Sequence, residues 1–261
     1  MNQFLLEKIE RLPLSFCRTS FWSQTWELPK LQAHRGHWIK SNRQNTLESL
    51  ADAKKEKFCM AEIDVQLTKD GEVILFHDFD LKNICLKNVL ISELNFKDLQ
   101  KLIKVDSLEE VLLSTDRPEF LNIELKTKSW RNFSLEEKVI SLLRKTGTMG
   151  NVLFSSFNHL SLIKIKNLEP EIPRAMLATG EKNNWNKVYL KYLYLAPLVE
   201  PQLIHIETAM ANEEFVSFLK SKNLKISVWT ENDLSMAKKF YQMGVDSIIS
   251  DVLTPGLIDL V

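Results

Sequence analysis

Three carboxylates occur at positions where they could bind a metal ion together. Glu62 and Asp64 are two residues apart in the apolar run 61–65, so on a β-strand their side chains face the same way. Two carboxylates on one face repel each other unless a cation lies between them or one keeps a proton. Glu124, in a second apolar run at 120–125, can complete a three-carboxylate site. Ligands that are all oxygen suit a hard cation such as Mg2+ or Ca2+.

Two histidines and two basic residues fall near the ends of the same set of runs. His34 and Arg35 stand at the end of the first apolar run, and Lys126 shares a strand face with Glu124. His77 ends a further run, and the loop that leaves it could bring its ring towards the carboxylates. Each residue alone is more often structural than functional, but placement at successive strand ends indicates one site. Arg and Lys in that site fit an anionic phosphate ester.

Short apolar runs alternate with longer helical patterns along the chain. Strand followed by helix, repeated, predicts parallel strands joined by helical crossovers. The predicted parallel strands are 31–34, 61–65, 120–125, 152–157, 174–178, 203–206, 225–229 and 247–250. The helical patterns lie at 46–57, 135–145, 159–168, 212–222 and 232–243.

The run at 72–77 breaks this alternation. It follows the run at 61–65 after a gap too short for a parallel crossover, and Asp70-Gly71 is a tight-turn signal. We therefore expect it to fold back antiparallel, as a hairpin arm outside the main sheet. Eight parallel strands with helices then predict an α/β fold of the (β/α)8 TIM-barrel type. A doubly wound open sheet is the alternative, but no Gly-rich phosphate loop follows the first strand.

Composition and charge restrict the functional classes. The 261-residue chain fits one barrel domain, and its 34 basic residues balance 34 acidic ones, which disfavours nucleic acid as a partner. The three cysteines match no zinc motif and predict a reducing compartment. The N-terminus lacks the apolar core of a signal peptide, and no apolar run is long enough to span a membrane. Together these features predict a cytoplasmic location.

Residues 1–30 stand outside the repeat and are predicted to form an N-terminal extension to a catalytic barrel at 31–261. Two interpretations are open for this segment. It packs over the lower end of the barrel, or it makes a homodimer contact or a peripheral membrane contact. The aromatic residues that raise the question are Phe16, Phe21, Trp22 and Trp26.

Six sequence segments resemble the glycerophosphodiester phosphodiesterase family. The longest and most specific is EIDVQLTKDGEVILFHD at 62–78. The others come in the family order: AHRG at 33–36, QNTLES at 44–49, IELK at 123–126, SSF at 155–157 and VWTENDLSMAKKFYQMGVDSIISD at 228–251. The resemblance runs from about residue 31 to the C-terminus. It implies a TIM barrel that hydrolyses small-molecule glycerophosphodiesters to sn-glycerol 3-phosphate and an alcohol.

The resemblance also implies a role for each residue of the predicted site. It implies one divalent metal ion, Mg2+ or Ca2+, bound by the three carboxylates. It also implies that His34 and His77 are the general acid and base. Their order is left open, as is the choice of water or the glycerol 2-hydroxyl as first nucleophile. Arg35 and Lys126 are implied phosphate ligands. Trp229, at the end of the seventh predicted strand, matches an aromatic that lines the family's pocket.

The chain departs from the family pattern at three places. Arg43-Gln44 stands where the family usually has Pro-Glu before Asn-Thr-Leu. The segment after His77 lacks the family's Arg-Thr-Thr and Gly-rich loop, which leaves the alcohol headgroup open. Ser247 replaces the second Gly of the family's Gly-Val-Asp-Gly. None of these changes removes a predicted metal ligand or catalytic histidine.

Two other functions are considered beside the first. A lysophospholipase D or a sphingomyelinase-D-like phosphodiesterase would use a similar site on a lipid diester. A barrel without catalysis would bind a phosphodiester or a partner protein. Such a barrel usually loses a metal ligand or a catalytic histidine, and this chain keeps all of them.

Overall fold

A closed barrel of eight parallel strands forms the body of the protein, in a computed structural model that describes residues 12–15, 22, 24–180 and 192–258. The described strands are β1 Leu31–Ala33, β2 Met60–Leu67, β3 Val73–Leu75, β4 Asp80–Leu81, β5 Lys87–Leu90, β6 Phe120–Leu125, β7 Val152–Ser156, β8 Arg174–Ala178, β9 Leu203–Glu207, β10 Lys225–Trp229 and β11 Ser247–Ser250. The barrel order is β1-β2-β6-β7-β8-β9-β10-β11, and β11 pairs with β1 to close it. This confirms the predicted TIM barrel and excludes the open sheet.

Helices cover the outside of the barrel and confirm the predicted alternation. The described helices are α1 Leu12–Ser15, α2 Leu47–Lys55, α3 Lys82–Cys85, α4 Phe96–Gln100, α5 Leu108–Leu113, α6 Ser134–Thr146, α7 His159–Leu168, α8 Ala196–Val199, α9 Glu213–Ser221, α10 Leu234–Met243 and α11 Pro255–Ile258. A capping box starts α2, since the Thr46 side chain accepts from the Ser49 backbone N–H and the Ser49 side chain accepts from that of Thr46. None of the described helices is long and apolar enough to cross a membrane.

The barrel strands are buried on both faces, which explains why they occur in the sequence as short apolar runs. Seven of the eight residues of β2 are buried, as are five of the six residues of β6. One interior layer is polar, however. Asn122 donates to the Gln32 side-chain oxygen at 3.0 Å, and Gln32 donates to Ser247 Oγ at 3.1 Å. Ser155 Oγ donates to Asn122 at 2.9 Å, so these buried groups are hydrogen-bonded to one another.

The predicted antiparallel arm is present as β3. It pairs with the outer end of β2, with Val65 opposite Leu75 and Leu67 opposite Val73. A second small hairpin follows, in which β4 and β5 pair on either side of α3. The sequence did not predict this hairpin. Its base packs into an apolar cluster of its own, formed by Ile74, Leu81, Ile91, Leu99 and Val105.

Two of the N-terminal aromatic residues pack against the lower end of the barrel, where the strands begin. The Trp26 ring stacks on Phe120 with centroids 4.5 Å apart, and Trp26 Nε1 donates to the Gly150 carbonyl at 2.9 Å. The Trp22 ring meets Trp26 edge to face at 4.7 Å. These two rings pack against apolar residues near the starts of five strands, namely β2, β6, β7, β8 and β9. Phe16 and Phe21 lie outside the described residues.

Replacing Trp26 by Ala should lower the free energy of unfolding by about 2–3 kcal/mol, because a large aromatic contact and a hydrogen bond are lost. Urea unfolding followed by circular dichroism measures the change. Trp130→Ala is the matched control, since Trp130 is 66% exposed, and it should change stability by less than about 0.5 kcal/mol. Equal losses in the two variants would contradict a structural role for Trp26.

Candidate active site

The three predicted metal ligands lie together inside the upper end of the barrel. Glu62 and Asp64 project from β2, and Asp64 is in register with Glu124 on the neighbouring β6. One oxygen from each carboxylate lies within 4.8 Å of the other two. All three residues are buried, with exposures of 4%, 1% and 9%. The sequence prediction that alternate residues on adjacent strands would converge therefore agrees with the geometry.

Their burial sets the charge state of the cluster. Burial, with added repulsion from Asp64, raises the pKa of Glu62 well above its usual range. Burial also raises the pKa of Glu124, although Lys126 opposes this. For Asp64, burial acts in the same direction, but positive charges led by Lys126 outweigh it and lower the pKa to about 2. The cluster therefore keeps Asp64 ionised and makes ionisation of Glu62, and to a smaller degree of Glu124, less favourable in the absence of a cation.

The cluster fits a hard divalent cation. Glu62 Oε1 is buried without a hydrogen-bond partner, while Glu62 Oε2 accepts from the Arg35 backbone N–H at 2.9 Å. A buried acceptor left unpaired is costly unless something binds it. The donor set is all oxygen and carries up to three negative charges, which matches the preferences of Mg2+ and Ca2+. Glu62, Asp64 and Glu124 are thus the residues that would hold such an ion.

Two cations border the carboxylates. Lys126 Nζ lies 3.0 Å from Glu124 Oε1 and 3.6 Å from Asp64 Oδ1. Burial alone would lower the pKa of Lys126, but these two carboxylates outweigh burial and raise it. Arg35 Nε lies 3.4 Å from Asp64 Oδ2, and Arg35 Nη1 donates to the Gln44 side-chain oxygen at 2.8 Å. Both cations face the cavity and are placed to meet an anionic group.

The backbone that carries Arg35 is tightly packed. Arg35 has a φ of 55°, in the left-handed region that side chains rarely adopt, and the following Gly36 has a φ of 77°. A Cβ at Gly36 would lie 2.4 Å from Ser49 Oγ, so this position requires glycine. The turn aims the Arg35 N–H at Glu62 and thereby joins the end of β1 to the carboxylate cluster.

His34 lies at the cavity wall and is held by an aspartate that the sequence analysis did not single out. Its Nδ1 is 2.8 Å from Asp251 Oδ1, and that carboxylate also accepts from Trp38 Nε1 at 3.1 Å and from Asn232 at 3.1 Å. Burial raises the pKa of Asp251, but the hydrogen bond from His34 and its other partners lower it to about 2. Because an ionised carboxylate only accepts, His34 Nδ1 carries a proton. Its Nε2 is left facing Glu62 Oε2 at 4.0 Å.

His77 forms a second pair of the same kind. Its Nδ1 is 2.7 Å from Asp78 Oδ1, and Asn83 donates to the other Asp78 oxygen at 2.9 Å. Burial lowers the pKa of His77, although Asp64 opposes this. The neutral ring is therefore favoured near pH 7, with Nδ1 protonated and the Nε2 lone pair available.

Trp229 also lines the cavity. Its ring meets Phe157 edge to face at 5.5 Å, and its Nε1 donates to the His205 carbonyl at 3.1 Å. The cavity has a volume of about 80 Å3 and brings together the predicted site residues that face it. Its lining is His34, Arg35, Glu62, His77, Asn122, Glu124, Lys126, Ser155, Phe157, Leu177, His205, Trp229, Thr230 and Ile249.

Asn45 is a further residue that sequence reasoning missed. Asn45 Nδ2 donates to Asp64 Oδ2 at 2.9 Å, and Asn45 Oδ1 accepts from the Asp64 backbone N–H at 2.9 Å. Its φ of 54° suits asparagine, which tolerates the left-handed region. The signal available in the sequence was the position of Asn45 in the QNTLES segment, just before α2.

Fold and site together define a (β/α)8-barrel enzyme whose cavity combines carboxylates, cations and two histidine–aspartate pairs. A sequence model of the glycerophosphoryl diester phosphodiesterase family matches residues 34–254. A glycerophosphodiester phosphodiesterase of Bacillus altitudinis is 32% identical over 239 residues, covering 86% of this chain and 95% of that protein. One of Caldanaerobacter subterraneus subsp. tengcongensis is 27% identical over 233 residues, covering 84% and 92%.

A solved structure gives the same result. An Oleispira antarctica phosphodiesterase, determined in complex with the product sn-glycerol-3-phosphate, matches with a TM-score of 0.75 and 28% identity, covering 89% of this chain and 97% of that one. The chain therefore belongs to the glycerophosphoryl diester phosphodiesterase family, and it is an enzyme of the phosphoric diester hydrolase class.

The raised pKa of Glu62 leads to a stability prediction. A glutamate whose pKa is raised by folding costs stability as the pH rises from the ordinary value of 4.5 through the raised range, because the unfolded chain releases the proton first. In EDTA at pH 8, Glu62→Gln should therefore be more stable than wild type, by on the order of 1 kcal/mol. The amide oxygen can still accept from the Arg35 N–H.

The same variant tests the metal site. Thermal unfolding with and without Mg2+ or Ca2+ should show ion-induced stabilisation of the wild type and much less of Glu62→Gln, since a ligand that binds only the folded state stabilises it. The difference between the two proteins in EDTA should shrink at pH 5. A Glu62→Gln variant that is less stable than wild type in EDTA at pH 8 would contradict the electrostatic analysis.

Proposed function

We propose that the chain hydrolyses glycerophosphodiesters to sn-glycerol 3-phosphate and an alcohol. The observation that carries the proposal is one cavity lined by two histidines and two cations, with an aspartate bonded to each histidine and a cluster of three carboxylates at its wall. Family membership and the product held by the Oleispira antarctica relative support it. The retained histidines and carboxylates count against a barrel that only binds.

Phosphate binding is assigned to the two cations. Arg35 and Lys126 would contact the non-bridging oxygens of the diester and offset the charge that grows on them in the transition state. A Mg2+ or Ca2+ ion held by Glu62, Asp64 and Glu124 would supply Lewis-acid activation of the phosphate. Trp229 and Phe157 would form an apolar part of the cavity lining and exclude water there.

Proton transfer is assigned to the two histidines. His77, whose pKa is lowered by burial, would accept the proton of the nucleophile at its free Nε2. His34 would deliver a proton from Nε2 to the departing alkoxide as the ester P–O bond breaks, and Asp251 would balance the charge of its protonated ring. The nucleophile is water, or the glycerol 2-hydroxyl with later hydrolysis of a cyclic phosphate.

Release of sn-glycerol 3-phosphate from glycerophosphocholine and glycerophosphoethanolamine tests the proposal. Wild-type protein should release it, EDTA should abolish the release, and Mg2+ or Ca2+ should restore it. His34→Ala and His77→Ala should each lower the rate by roughly 10²–10⁴-fold, the usual size of acid–base effects. His37→Gln is the control, because that ring packs near Phe58 and does not line the cavity. Wild-type rates in both alanine variants would exclude the assignment.

Asp251 is proposed to position His34. In Asp251→Asn, an amide N–H can face His34 Nδ1 and favour the ring tautomer whose proton is on Nε2. The expected result is a fall in kcat by about 10²-fold with KM little changed, and partial recovery in Asp251→Glu. Steady-state kinetics over pH separates this from a packing defect, which would lower the amount of folded protein without altering the pH profile. An unchanged kcat would show that Asp251 does not act through His34.

A lipid diester is the second candidate substrate, in a lysophospholipase D reaction. The observation in its favour is that Leu86 and Trp130, in the segments that follow the cavity-lining residues His77 and Lys126, are 91% and 66% exposed. A higher kcat/KM for lysophosphatidylcholine than for glycerophosphocholine would select this candidate over the first.

We also propose that residues 1–30 are an extension of a catalytic barrel at 31–261, which the packing of Trp22 and Trp26 under the strands supports. These two rings are partly buried against the barrel, which favours packing on the barrel over a dimer or membrane contact through them. A cytoplasmic location rests on the sequence features alone, with Cys59 and Cys85 as free thiols.

A further inference from the structure

A hairpin beside the active site displays apolar side chains to solvent. It consists of β4, α3 and β5 and begins shortly after His77, which lines the cavity. Leu86 is 91% exposed and Ile84 is 58% exposed. Single exposed apolar residues are common on proteins, but two at one hairpin tip beside a cavity mouth indicate a contact surface.

The backbone makes Leu86 the more unusual of the two. Its φ of 57° and ψ of 19° place it in the left-handed region, as the residue that ends α3. Glycine or asparagine normally occupies such a position, because other side chains are strained there. A leucine that is 91% exposed gains almost no packing within this chain in return. Neither the backbone conformation nor burial within the chain explains leucine at this position, which indicates a contact outside the chain.

The hairpin tip is presented from a fixed base. Leu81 and Ile91, at either side of the hairpin, are both 0% exposed and belong to the apolar cluster under the arm. Asp80 pairs with Leu90 across the two short strands. The tip residues 82–88 therefore extend from a well-packed base, and their exposure is a property of the fold.

A second segment at the cavity mouth extends the surface. The loop after β6 carries Trp130, which is 66% exposed. Lys128 of this loop lies with Nζ 4.0 Å from the centroid of the Phe79 ring, so the loop and the hairpin are in contact. Lys126 lies two residues before Lys128, and His77 lies two residues before Phe79. Both Lys126 and His77 line the cavity. The apolar tips thus share the end of the barrel at which the cavity opens.

The charges around these tips are mainly positive. Three exposed cations lie on the two segments in addition to Lys128, whose ammonium packs on Phe79: Lys82, Lys87 and Arg131. The acidic residues of the same stretch are half-buried and already hydrogen-bonded. Asp80 Oδ1 accepts from the Lys82 backbone N–H at 3.0 Å, and Asp78 accepts from His77 and Asn83. Exposed Leu, Ile and Trp side chains on segments that also carry exposed Lys and Arg are typical of proteins that bind the surface of anionic lipid.

We propose that the hairpin tip 82–88 and Trp130 dock on the surface of an anionic lipid bilayer, with the cavity mouth facing it. The contact is peripheral, with the apolar tips in the headgroup region and Lys82, Lys87 and Arg131 at anionic headgroups. It does not depend on the proposed reaction, because it rests on surface residues outside the catalytic cluster.

Sedimentation of the full-length protein with phosphatidylcholine vesicles, with and without phosphatidylglycerol, tests the proposal. Wild type should bind only the anionic vesicles. Leu86→Asn combined with Ile84→Ser should weaken that binding about tenfold or more, as expected from the loss of two apolar insertions. Asparagine suits the left-handed backbone, so the Leu86→Asn change should not lower the thermal stability. The control is Leu113→Asn, since Leu113 is 65% exposed at the end of α5, near the start of β6, and its change should leave binding intact.

Three results would overturn the proposal. One is no binding of wild type to anionic vesicles. Another is binding that salt removes but the Leu86→Asn and Ile84→Ser changes do not affect, which would indicate a nonspecific charge attraction. The third is a dimer in size-exclusion chromatography that the same changes disrupt, which would make the surface a contact between two copies. Vesicle binding is measured without substrate, so its failure is separate from any failure of the proposed hydrolysis.

Discussion

The burial of three carboxylates in one cavity is the constraint on which the rest of the site depends. Their oxygens lie within 4.8 Å of one another, and burial raises the pKa of both Glu62 and Glu124. Ionising the whole cluster therefore needs positive charge and hydrogen-bond donors close by. Lys126 and the Arg35 turn provide part of it, and the unpaired Glu62 Oε1 marks where a cation would provide the rest. A phosphate brought to the same place would meet cations that the carboxylates have already positioned.

The two histidines are also held in place by carboxylates. Each has Nδ1 hydrogen-bonded to an aspartate, which leaves Nε2 as the ring nitrogen available to a substrate. Asp251 comes from the segment after β11, and Asp78 comes from the arm that folds back on β2. His34 therefore meets Asp251 only because the barrel closes and brings β11 beside β1. His77 is placed at the site because the antiparallel arm folds back on β2.

Much of the fold and of the inner site follows from local patterns in the sequence. Glu62 and Asp64 converge because strand side chains alternate, and His77 returns to them because Asp70-Gly71 reverses the chain. Asp251 could not be placed in this way, since it is 217 residues from His34 in sequence and becomes its neighbour only when the barrel closes. The hairpin at 80–90 was also missed. Its strands have two and four residues, and its tip residues Ile84 and Leu86 are exposed while Leu81 is buried, so no periodic burial pattern marks it.

Two of the departures from the family pattern alter polar contacts that support the site. Gln44, where the family usually has a glutamate, still accepts from Arg35 Nη1 at 2.8 Å, but it brings no negative charge. In a cavity that already holds three carboxylates, a fourth acidic partner would compete with a substrate phosphate for Arg35. Ser247, where the family has glycine, adds a hydroxyl that accepts from Gln32 in the polar layer of the barrel interior. Both replacements therefore preserve the support of the site, and the first leaves more of the Arg35 charge available to an anion.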